Sequence, residues 1–172
     1  ARLRRSFAAL AAAALLAGLA PAASPAAPRE ANILALTLAG EIAMAQHQFR
    51  FASEARGQAA RSSSDARLAE RAWEAAEASD VPERADMALK YLLALDPGNA
   101  SARTAMALDG LAAGKDGQVD WEGVERDLAR ALKASKQPHV ILGRVVVRGA
   151  AVADKKRLYA MLGRLAAPWP DD

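Results

Sequence analysis

Shifted by 34 residues, the middle of this chain superposes on itself. Asp65, which follows the polar run Ser62-Ser63-Ser64 and has the side chain of a helix N-cap, falls on Asn99, a second residue of that kind. The same shift lays Leu34 on Leu68 and Ala102, Leu38 on Ala72 and Met106, and Ala55 on Leu89. Each unit of this length holds two apolar helical stretches. Neither can bury its face alone, so the units must stack on one another.

Composition points the same way. Hydrophobic residues make up 52% of the chain and aromatics only 5%, with Ala supplying much of the difference. Ala loses no side-chain entropy in a helix and lets helices approach closely. β-branched residues cluster only at Val145-Val146-Val147, so an extensive sheet has little to be built from. The chain therefore reads as all-α.

Eight helices are expected. Leu34, Leu38, Ile42 and Ala45 mark an apolar stripe on the first, which opens at Asn32. Gln46-His47-Gln48 interrupts it, and Phe51, Ala55 and Ala59 carry the second. Asp65 caps a third helix from Ala66 to about Ser79. Asp80-Val-Pro-Glu83 has capping-box spacing and opens a fourth, which Asp96-Pro97-Gly98 stops. Asn99 caps the fifth, Gly114-Lys-Asp-Gly117 is a turn, and Asp120 opens the sixth. A seventh follows Pro138 and ends at Gly149, with a strand as the alternative for its Val-rich part, and an eighth covers Ala151 to Ala166.

A 34-residue unit of two antiparallel helices resembles the tetratricopeptide repeat, whose unit junction is similar to Leu95-Asp96-Pro97-Gly98-Asn99. Ala85 and Ala88-Leu89 sit where that repeat carries its small and large packing positions. The resemblance implies antiparallel helix pairs stacked as a right-handed solenoid, clear from Leu34 to Leu132. The first unit departs from it in having Ser64-Asp65-Ala66 without the junction Pro. More narrowly, Leu38-Ala-Gly-Glu41, Asp65-Ala-Arg-Leu-Ala-Glu-Arg-Ala72 and Leu95-Asp-Pro97 are similar to the start of proteobacterial envelope tetratricopeptide proteins. Some of these are lipoprotein adaptors for a periplasmic processing protease and its cell-wall hydrolase substrates. This chain has no Cys for such an anchor.

The first residues read as an address. Arg2, Arg4 and Arg5 precede the apolar stretch Phe7–Ala20, and Pro21–Pro28 then alternates small residues with Pro. This is the order of a secretory signal, cut before Ala23, and the stretch is shorter than the roughly 20 residues of a membrane span. The expected organisation is a signal at 1–22, an Ala/Pro-rich linker at 23–31, a helical domain at 32–167, and a tail or truncated junction at 168–172. Either the last helix caps the stack or the chain is the N-terminal piece of a longer protein. The Ala- and Arg-rich composition is that of a high-GC Gram-negative bacterium, which places the mature chain in the periplasm. Without residues 1–22, 20 basic residues face 20 acidic ones, so nucleic acid is not an expected partner.

No motif for chemistry stands out. Without Cys there is no thiol catalysis, and His47 and His139 have no metal-pair spacing. The glutamates lie among arginines, where surface pairing is ordinary. The expectation is a non-enzyme without cofactor or metal, binding other proteins along a concave face lined by the first helix of each pair. Candidate contact residues are Glu41, Gln48, Arg67, Arg71, Glu74 and Arg103. Candidate partners are an envelope protease, a cell-wall enzyme or a lipoprotein. The alternative is an assembly factor that self-associates.

Overall fold

A computed structural model describes residues 26–113 and 119–169. The expected signal, the Gly114–Gly117 turn and the last residues lie outside them. The described residues form eight helices and no strand: α1 (Ala26–Ala45), α2 (Phe49–Ser63), α3 (Ala66–Glu77), α4 (Pro82–Leu95), α5 (Ala100–Ala113), α6 (Trp121–Ala134), α7 (Pro138–Gly149) and α8 (Lys155–Ala166). The all-α expectation holds, including for the Val-rich segment, which is helical. Val145 alone of its three valines is buried, as a helical period requires of one face.

Local chemistry explains the starts. Asp65 accepts from the Arg67 amide at 2.8 Å, Asn99 from Ala102 at 3.0 Å and Asp120 from Gly123 at 3.0 Å. Each satisfies an amide that the first turn leaves without a partner. Asp80 does not cap α4. It sits in the left-handed region at φ 53°, Val81 takes the cap position without a side-chain bond, and Pro82 supplies the preset first turn. Asp65→Ala is expected to lower stability by about 0.5–2 kcal/mol. A urea titration checks this, and an unchanged midpoint would count against the cap.

Consecutive helices pack on one another, most extensively α1 on α2, α2 on α3 and α5 on α6. Three apolar clusters follow the chain. Ala43, Ala52 and Ala75 join α1 to α3; Trp73, Leu89, Leu92 and Ala102 join α3 to α5; Leu111, Leu128, Val145 and Leu158 join α5 to α8. Trp169 packs against the last cluster.

The first helix differs from its expectation. It starts at Ala26, ahead of Asn32, and Arg29 ties it to the Ser62 carbonyl at the far end of α2. Its Leu34, Leu38 and Ile42 stripe faces outward, at 70%, 58% and 49% exposure. The buried face is Gly40 and Ala43 instead. A Cβ on Gly40 would stand 2.5 Å from Arg56 Cγ, so the absence of a side chain there is what admits the arginine stem. Close approach, not aliphatic bulk, selects the inward face.

Candidate partner-binding surface

The six sequence candidates divide into separate places. Glu41 and Arg71 come together around Arg56, a residue that is only 5% exposed. The Glu41 carboxylate takes Arg56 Nη2 at 2.9 Å on one oxygen and Arg71 Nη1 at 2.6 Å on the other. Arg56 Nη1 also donates to the Arg71 carbonyl at 3.2 Å. One carboxylate thus joins α1, α2 and α3, pairing the buried Arg56 from a partly exposed position beside Arg71. Arg103 is likewise held, its guanidinium 2.7 Å from Asp127 on α6 with both side chains mostly covered.

The remaining three are open to solvent. Arg67 is exposed and leans on Asp65, whose carboxyl it holds below the usual aspartate range by hydrogen bonding. Gln48 stands exposed ahead of α2 and caps nothing. Glu74 is exposed on α3.

A wide concavity lies elsewhere, between α3, α5 and α7, an open groove of about 960 Å³. Trp73, Ala105 and Leu108 give it an apolar lining, and Val147 adds an aliphatic side chain that is 77% exposed. Glu77 and Asp109 contribute acid, Arg144 and Arg148 base. None of the six candidates lines it. Three of the odd-numbered helices do, which is the face expected of the first helix in each pair. Sequence reading missed the residues because it ranked polar positions on the early helices. One signal was present: Arg144 and Arg148 repeat the same charge at i,i+4, a spacing that disfavours an isolated helix.

Asp109 reports on this wall. Partial withdrawal from water raises its pKa above the ordinary aspartate value, with the Arg148 charge pulling it down and Asp86 pushing it up to lesser extents. A carboxylate with a raised folded pKa opposes folding while ionised, and the penalty fades as pH falls through that pKa. Asp109→Asn is therefore expected to raise the melting temperature at pH 7, with the gain shrinking on acidification and gone below about pH 3.8, the unperturbed value. A gain that persists at pH 3 would contradict this cause.

Among the described residues, no three His, Asp or Glu side chains group as a metal site would need. His47 occupies a left-handed turn and packs edge-on to Phe49, and His139 is exposed on α7. No described helix is long and apolar enough to cross a membrane. The chain matches no known family, no curated protein and no solved structure.

Proposed function

We propose that this chain is a tetratricopeptide-type scaffold, exported to the periplasm, that binds another protein and performs no catalysis itself. The observation that carries this reading is the concave face built by α3, α5 and α7, three alternate helices among the described residues. Repeat geometry supports it: α3 and α5 begin at Ala66 and Ala100, 34 residues apart, each behind a capping Asp or Asn. Such faces bind helices or extended segments of partner proteins. An envelope protease, a cell-wall enzyme or a lipoprotein is the kind of partner the narrower resemblance implies.

The test is to express the full chain in a periplasm, weigh the mature N-terminus, and measure the stoichiometry of whatever co-purifies. Loss of residues 1–22 and a complex of fixed stoichiometry with an envelope protein are the expected results. A retained leader would overturn the location. Protein recovered only as itself would overturn the scaffold role.

One feature of α1 favours a second reading, self-association. No charged residue occurs from Ala31 to Gly40, and Leu34, Leu38 and Ile42 line its outer side. Outermost helices of stacked repeats are ordinarily polar. Sedimentation equilibrium separates the readings: a dimer that Leu38→Lys dissolves supports self-association, and a monomer at all concentrations removes it.

A further inference from the structure

Resting on the scaffold reading, we propose that the α3–α5–α7 groove takes an amphipathic helix of the partner protein. That helix carries acidic side chains on the flank facing α7 and basic ones on the flank facing Glu77 and Asp109.

Size comes first. A volume of about 960 Å³ accommodates about 12 Å of a rod 10 Å wide, or about eight helical residues. That is two turns, enough to seat apolar side chains at i, i+3 or i+4, and i+7. Trp73, Ala105 and Leu108 offer them an apolar lining, and Val147 offers an aliphatic contact now spent on water. Gly143 widens the α7 side: a Cβ added there meets nothing within 4 Å.

The walls favour a helix over an extended strand. An extended peptide must find partners for its own amides and carbonyls. Most of the lining is helix, whose interior backbone groups are already paired, with only Ala150 and Ala151 in the turn after α7, and Thr104 spends its hydroxyl on the Ala100 carbonyl at 2.7 Å. A bound helix satisfies its backbone internally and asks only for side-chain contacts.

Charge then orients it. Glu77, Asp109, Arg144 and Arg148 form no ion pair among the described residues, unlike Glu41, Arg56, Arg71, Arg103 and Asp127. A helix whose apolar stripe faces the groove can set acid against the arginines and base against the carboxylates in only one chain direction. The groove therefore selects direction as well as amphipathicity. Ionic contact with a cation would also draw the Asp109 pKa back down.

The test uses three synthetic fluorescein-labelled peptides of roughly 14 residues, four helical turns, with one Leu stripe. Their flanks are Glu on one side and Lys on the other, Glu on both, or Lys on both. Anisotropy titrations against the protein are expected to rank the mixed peptide about ten-fold tighter than either single-sign peptide. The R144E/R148E variant makes the groove wholly acidic and should switch the preference to the all-Lys peptide. G143W, which points bulk into open space, should abolish binding of all three while the melting temperature holds. Equal affinity for all three peptides, or a ranking that survives R144E/R148E, overturns the proposal. A partner that co-purifies equally well with G143W also overturns it, while leaving the scaffold reading standing. Failure to bind any peptide together with failure to capture any partner removes both.

Discussion

Leu128→Ala should lower the unfolding free energy by about 2–5 kcal/mol, the range for a fully buried Leu truncated where neighbours relax incompletely. Leu128 has no exposed surface and belongs to the cluster that also holds Leu111, Val145 and Leu158, from the helices before and after α6. α8 packs on α6 and α7, and that cluster holds this last described helix to the rest of the fold. A urea titration followed by far-UV circular dichroism reads the effect. A shift below about 1 kcal/mol would mean that the cluster is looser than its burial implies.

The second large effect concerns the clamp. Glu41→Ala leaves the Arg56 guanidinium buried, with only the Arg71 carbonyl to meet its charge and its Nε already lacking an acceptor. An abandoned buried charge is costly; because the Glu41 side chain is 41% exposed and water can enter, about 1–3 kcal/mol is expected. Arg56→Met should cost less, since an apolar stem still fills the space against Gly40 and the freed carboxylate keeps Arg71 and solvent. Thermal melts of both variants test the order. If Arg56→Met proves the more damaging, the carboxylate is not what the clamp depends on. For the same reason, lost partner binding in a Glu41 variant has to be read against its melting temperature.

How far the sequence carried the structure depends on which interactions were local. Caps and breakers are local, so Asp65, Asn99, Asp120 and Asp96-Pro97 placed their helix boundaries correctly. Asp80 looked equally local, but its backbone went to the left-handed region and the capping spacing was never realised. The direction each helix faces is not local. The Leu34, Leu38 and Ile42 stripe pointed to one side of α1, while the fit of Gly40 around Arg56, a residue on another helix, decided the other.

The candidate site shows the same division. The expectation that the first helices of the pairs line a concave face came from the resemblance; α3, α5 and α7 line a concavity and α1 does not. Which side chains would line it did not follow. Glu41 and Arg103 carry charges suited to a partner, and the fold consumes both in ion pairs with Arg56 and Asp127. Arg144 and Arg148 were not among the candidates, and only the placement of α7 beside α5 gives them a groove to face.

The most direct test uses the three tryptophans as reporters at three places. Trp73 lines the groove with its indole N–H buried and without an acceptor, Trp121 lies under the Arg157 guanidinium, and Trp169 packs on the terminal cluster. The measurement is a ¹⁵N-correlated NMR titration of the indole resonances with the co-purified partner. The scaffold account predicts that the Trp73 signal moves to saturation while those of Trp121 and Trp169 stay in place. Saturable binding that leaves Trp73 unmoved, or shifts Trp121 instead, would contradict the assignment of this face.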